Sequence, residues 1–145
     1  MSKIKKRYKI DLIAKISDIN PKEWDACLIG PTRQPGAPFL SHAFLNALEI
    51  SQSANSTTGW LPRHLILRKE TNQLVAACPL YVKSHSQGEY VFDQSWAQAF
   101  ERAGGEYYPK LQCAVPFSPV TGPRLLAPAE AVDCLEYRKC MAQAV

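Results

Sequence analysis

Apolar and polar positions alternate in part along YKIDLIAKI (8–16), which predicts a strand. Asp18 is the expected N-cap of a short helix, PKEWDACL, that carries Pro21 in its first turn. GPTRQPGAP (30–38) is punctuated by proline and glycine and predicts a loop. Ser41 then caps a helix whose apolar face holds Phe44, Leu45, Ala47 and Leu48, with Glu49 at its end before the polar loop SQSANSTTG. RHLILRK (63–69), the turn ETNQ and LVAACPLYVK (74–83) predict an antiparallel hairpin. Pro79 interrupts the second strand and has no amide to donate, so an edge, a bulge or a splay is expected there. DQSWAQAFERAG (93–104) reads as a helix with Asp93 at its N-cap position, apolar Trp96, Ala97, Ala99 and Phe100, and a glycine stop. KLQCAVPFS (110–118) predicts a strand, and SPVTGPRLLA (118–127) a rigid turn running into a short apolar segment. From Pro128 the pattern is helical to the last residue, with Ala131, Val132, Leu135 and Met141 as apolar positions and no closing cap.

This alternation of strands and helices in 145 residues predicts one layered α/β or α+β domain. A hydrophobic content of 46% with 21% charged residues excludes a largely disordered chain. The net charge of +4 is concentrated in Lys3, Lys5, Lys6, Arg7 and Lys9, so residues 1–9 read as a basic tail and 10–145 as the folded domain. With the rest near neutral, no sequence-specific nucleic-acid face is expected. The five cysteines form no CxxC and fit a reducing compartment. Leu74–Val82, the longest strongly apolar run, is far shorter than the ~20 residues of a membrane helix, and a cytoplasmic protein is expected.

The segments APFLSHAFLNALE, TTGWLPRHLIL and LVAACPLYVKSHSQGEYVFDQSWAQAFERAGGEYYPKLQCAVPFSPVTGPRLL carry a sharper signal. From about Pro38 to Leu126 they resemble the N-terminal part of the FemAB-like predicted N-acyltransferases, a peptidoglycan biosynthesis/recognition family placed in the GNAT superfamily. The resemblance implies a GNAT-like half-domain with a mixed, mostly antiparallel sheet and flanking helices. It also implies a longer protein of two such halves, of which this chain would be the first and the C-terminal half its partner. The implied activity is acyl or aminoacyl transfer to an amine of a small-molecule or peptide acceptor, possible donors being acyl-CoA or aminoacyl-tRNA. The alternatives are a non-catalytic recognition module for a cell-wall precursor or peptide, and an inactive truncated product.

Acyl transfer to an amine needs a proton acceptor, donors for the developing oxyanion, and a cleft that aligns the reactants. His85, beside a strand end and a glycine turn, is the candidate general base, with Glu89 or Asp93 to orient it. Tyr90, Tyr107 and Tyr108 can donate protons or line a groove, and Lys110 and Arg124 can bind a carboxylate or phosphate. Glu89, Tyr90, Tyr108, Lys110 and Arg124 form the expected substrate-binding set. Competing structural readings exist for each: turn hydrogen bonds for Ser84 and Ser86, helix capping for Asp93, wet-ended core packing for the tyrosines, and surface charge for Lys110 and Arg124. His42 and His64 read as structural. Arg102–Tyr107 is the nearest approach to a GNAT phosphate loop, but it follows a helix instead of opening one and reads as a helix C-cap, so no cofactor is assigned to this half. The histidines are far apart and no HExxH, GxSxG or Walker motif occurs, so neither a metal site nor a serine nucleophile is expected.

Overall fold

A computed structural model describes residues 8–28, 37–90 and 93–145. The elements in chain order are β1 (Tyr8–Ile13), α1 (Pro21–Ala26), α2 (His42–Ile50), β2 (Trp60–Pro62), β3 (His64–Lys69), β4 (Leu74–Cys78), β5 (Leu80–Lys83), α3 (Gln94–Arg102), β6 (Lys110–Cys113) and α4 (Cys134–Ala142). The layered α+β reading holds: helices flank two small sheets, ordered β1-β3-β4 and β2-β5-β6, and every described strand pair is antiparallel.

The predicted hairpin is the spine of both sheets, and each of its arms is broken once. β3 pairs with β4 in the first sheet, and β2 pairs with β5 in the second. One arm breaks at Arg63 and the other at Pro79, so the expected disturbance at that proline is a strand break at which the chain passes from one sheet to the other. The gap is stitched by the Arg63 amide donating to the Leu80 carbonyl at 2.8 Å and the Leu80 amide donating to His64 Nδ1 at 3.3 Å. Beyond β4, Leu126 exchanges both backbone hydrogen bonds with Ala77, covering an edge that would otherwise be open.

Strands β3 and β4 of the first sheet are buried on both faces over most of their length. Ile66, Leu74 and Ala77 pack with Ile16, Trp24, Leu40 and Leu45 against α1 and α2. Leu65, Leu67, Ala76, Cys78 and Leu80 pack on the other side with Tyr137 and Met141 of α4. A strand covered on both faces has no polar side, and LVAAC therefore reads as a continuous apolar run.

Local details correct several expectations. Asn20, not Asp18, caps α1: its Oδ1 accepts from the Lys22 amide at 2.9 Å, while Asp18 ends a preceding 3-10 turn. Ser41 caps α2 as expected, accepting from the Phe44 amide at 3.3 Å. Glu49 does more than end that helix, since its carboxylate accepts from the Ile16 amide and from His64 Nε2. Of the apolar positions expected on α3, only Ala97 is buried; Trp96 and Phe100 are exposed. On α4, which begins later than the sequence pattern implied, Tyr137 and Met141 are buried while Leu135 faces out, as does Val132 before the helix. Residues 1–7 of the basic tail and 29–36 of the proline-rich loop lie outside the described residues, whereas Tyr8 and Lys9 belong to β1.

Candidate functional site

Strand pairing alone puts the site's chemistry on one surface. Directly opposed residues share a face, as do residues two apart on a strand. Trp60, Lys83 and Lys110 are opposed across β2, β5 and β6, and Pro62, Tyr81 and Gln112 form the next row. One face of the second sheet thus carries Trp60, Tyr81, Lys83, Lys110 and Gln112. Leu61, Val82 and Leu111 fall on the other.

Lys83 is fully buried. An unpaired ammonium there would be costly, and two neighbours compensate it. Its Nζ donates to Glu89 Oε1 at 2.5 Å and stands 4.0 Å from the Trp60 ring centroid. Glu89 reaches it because the chain turns back after β5, with Gly88 at φ 76° in the turn. Burial pushes the Lys83 ammonium below the ordinary lysine value, by more than the hydrogen bond and charge of Glu89 raise it.

Asp93 sits at the N-cap position of α3 but makes no side-chain capping bond. Its carboxylate is used elsewhere. It pairs with Lys110 Nζ and accepts from the Tyr107 hydroxyl at 3.1 Å and the Tyr108 hydroxyl at 2.9 Å. Tyr108 lies 2.6 Å from Ser86 Oγ, so Ser86 belongs to this network as well as to its turn. Burial alone would raise the Asp93 carboxyl. Hydrogen bonds from Lys110, Ser86 and Tyr108 outweigh it and hold the group well below the usual carboxylate range. Burial likewise works against charge on Lys110, but Asp93 and Tyr107 raise its ammonium above the ordinary value, so it stays charged at neutral pH. The Tyr108 phenol is raised, by burial first and then by the adjacent Asp93.

Both ion pairs border a cleft of about 350 Å³ lined by Trp60, Ser86, Glu89, Tyr90, Asp93, Tyr107, Lys110, Gln112 and the segment around Phe117. Two buried polar atoms of the same sheet face, Trp60 Nε1 and the Tyr81 hydroxyl, have no hydrogen-bond partner among the described residues. The cleft therefore combines aromatic walls, a charged ammonium and two carboxylates.

The expected site residues divide into two groups. Glu89, Tyr90, Asp93 and Lys110 line the cleft, and Tyr108 braces Asp93 from behind. His85 and Arg124 are elsewhere. His85 Nε2 donates to the Thr57 carbonyl at 3.1 Å and its Nδ1 accepts from the Gln87 amide at 3.3 Å, so neither Glu89 nor Asp93 is its partner and both ring nitrogens are engaged. It packs so closely on Gly59 that a Cβ there would meet its carbonyl oxygen at 2.8 Å. Arg124 donates to the Val120, Gly122 and Pro123 carbonyls and fixes its own loop. Lys83 and Trp60 were not singled out from the sequence. The available signal was the alternation in LYVK, which puts Lys83 on the Tyr81 side of the strand.

The Arg102–Tyr107 segment closes α3 as read. The Gly104 amide donates to Glu101 O at 2.9 Å and the Gly105 amide to Phe100 O at 3.1 Å, so both are spent on the helix. A Cβ on Gly105 would lie 2.3 Å from the Phe100 ring, which explains the second glycine. Among the described residues no group of three or more His, Cys, Asp or Glu side chains is placed to hold a metal ion, and no helix is long and apolar enough to cross a membrane.

The family model described as FemAB-like, peptidoglycan biosynthesis/recognition, matches residues 15–145, a longer stretch than the Pro38–Leu126 block that carried the resemblance. No curated protein and no solved structure matches the chain.

Proposed function

The chain belongs to the FemAB-like family, and from that premise we propose that it transfers an acyl or aminoacyl group to an amine of a peptidoglycan-related precursor. The observation that carries this reading is the aromatic-walled cleft bordered by the Lys110–Asp93 and Lys83–Glu89 pairs. The acceptor amine attacks the donor carbonyl. A C–N bond forms, and the C–S bond of an acyl-CoA or the ester C–O bond of an aminoacyl-tRNA breaks. Lys110, kept charged by Asp93, meets the developing oxyanion. Asp93 is held too far below the usual range to be an effective proton acceptor, which leaves Glu89 as the cleft carboxylate that takes the amine's proton and returns it to the departing thiolate or ribose oxygen. His85 has no role in this scheme, because its ring nitrogens are engaged outside the cleft lining.

The proposal places the reaction in the cytoplasm, where both donor classes are made. A second GNAT-like half, as the sequence resemblance implies, would be the partner that supplies the remaining wall. A recognition module without chemistry is the second reading, favoured by one observation: Lys110, the cleft-lining lysine, and the buried Lys83 beneath it are already paired with carboxylates of this chain. The two readings separate in one experiment. The protein is incubated with acyl-CoA or aminoacyl-tRNA donors and amine acceptors that include peptidoglycan precursor peptides, and products are read by mass spectrometry. A new amide in the acceptor supports transfer. Saturable precursor binding without product supports recognition, and the absence of both product and binding overturns both readings.

A further inference from the structure

Four of the five cysteines border the core cluster between the first sheet and α4, but only two touch. Cys78 closes β4 at the Pro79 break, and Cys113 closes β6 opposite Leu80. Their sulfurs are 3.5 Å apart, the one sulfur–sulfur contact among the described residues, with the Cys78 thiol donating to Cys113. Closing that gap to a bonded length of about 2.0 Å requires a shift smaller than a carbon–carbon contact. Cys78 is fully buried, while Cys113 is half-buried and so open to a small reagent.

We infer that Cys78 and Cys113 form a dithiol modification site that hydrogen peroxide converts to a disulfide, with Cys113 reacting first and Cys78 resolving it. The Cys113 thiolate attacks one peroxide oxygen. The O–O bond breaks, hydroxide leaves, and Cys113 becomes a sulfenic acid. Cys78 sulfur then attacks the Cys113 sulfur; the S–S bond forms, the S–O bond breaks, and the leaving hydroxide carries off the Cys78 proton as water. Two thiols lose two electrons and two protons, and the peroxide ends as two waters.

The order of events follows from the surroundings. Cys113 is the more exposed of the two; Cys78's hydrogen bond lowers its thiol against the opposing effect of burial, and the Arg124 guanidinium lowers it further. The Cys78 thiol is raised, first by its bond to Cys113 and then by burial, so it waits as the resolving group. Cys27, buried apart from the pair, has its thiol pushed up to about 12, chiefly by burial. The location matters for the cleft because Ala114, Val115 and Phe117, which follow Cys113 directly, line it.

The test is peptide mapping of the wild-type protein after brief peroxide treatment, with free thiols alkylated before digestion and without reductant. The expected result is one Cys78–Cys113 linked peptide, reversible with dithiothreitol, with Cys27, Cys134 and Cys140 alkylated. Cys78→Ala should leave Cys113 as a sulfenic acid trappable by dimedone, and Cys113→Ser should leave Cys78 unoxidised. The wild-type map decides the matter even if a variant misfolds: a disulfide to another cysteine, stable oxidation of Cys113 without a link, or a fully alkylated pair would each overturn the inference.

Discussion

The protein holds two polar networks only one strand break apart, one enclosed and one partly open, and they are built differently. In the first sheet Glu49 accepts from the Ile16 amide at 3.0 Å and from His64 Nε2 at 2.8 Å, with the His64 ring packed edge-on against Trp24 and Tyr81. In the second, Lys83 pairs with Glu89, and Lys110 pairs with Asp93 beneath two tyrosines. The first network is enclosed by core residues, and its bonds tie the 3-10 turn after β1 to α2 and β3. The second borders a cleft and leaves the Trp60 indole N–H and the Tyr81 hydroxyl of the same face without partners among the described residues. Burial of polar groups therefore does not mark a site by itself. What sets the second network apart is that Glu89, Asp93 and Lys110 line a cleft.

Breaking each network singly sharpens the contrast. Lys83→Met leaves the Glu89 carboxylate without its buried partner and should cost about 3–5 kcal/mol, whereas adding Glu89→Gln should recover most of that loss, both read from urea midpoints. Equal losses in the single and double variants would mean that the pair is not what holds the turn after β5. Glu49→Ala orphans two donors and should cost about 3 kcal/mol, while specific activity of the folded fraction stays unchanged. A fall in that specific activity would join the two networks into one site.

A smaller effect separates them by pH. Asp93 has a depressed carboxyl, so its contribution is present above the unfolded value of about 3.9 and is lost as pH falls below it toward the folded value. Asp93→Asn should therefore be less stable than wild type at neutral pH, with the gap narrowing below about pH 4. A gap that is constant with pH would mean that the charge of Asp93 contributes nothing.

The sequence exposed one part of this comparison better than the other. The order of elements, the Ser41 cap and the disturbance at Pro79 are local, set by residues adjacent in the chain, and they were legible. The shift of the first helix cap by two residues, from Asp18 to Asn20, was not, because both side chains suit the role and the 3-10 turn decides between them. Strand β2 is three residues long and contains a proline, too short for a period to register. In the site, Glu89, Tyr90, Asp93, Tyr108 and Lys110 fell within one dense polar block and could be named. Lys83 could not, since nothing in LYVK indicates that Trp60, from 23 positions earlier, will lie under its ammonium. The placement of His85 was hidden for the converse reason: a position beside a glycine turn suggested reach into the cleft, but its ring donates to the Thr57 carbonyl, far upstream, and lies outside the lining.

The central claim is that the chemistry belongs to the cleft-lining Lys110 and Glu89 and not to His85. Its most direct test is turnover of Lys110→Met and His85→Ala side by side, with the donor and acceptor that give product with wild type. The account predicts a loss on the order of 10²-fold for Lys110→Met and a change within about twofold for His85→Ala. A large loss with His85→Ala in a folded protein, and near-wild-type turnover with Lys110→Met, would contradict it.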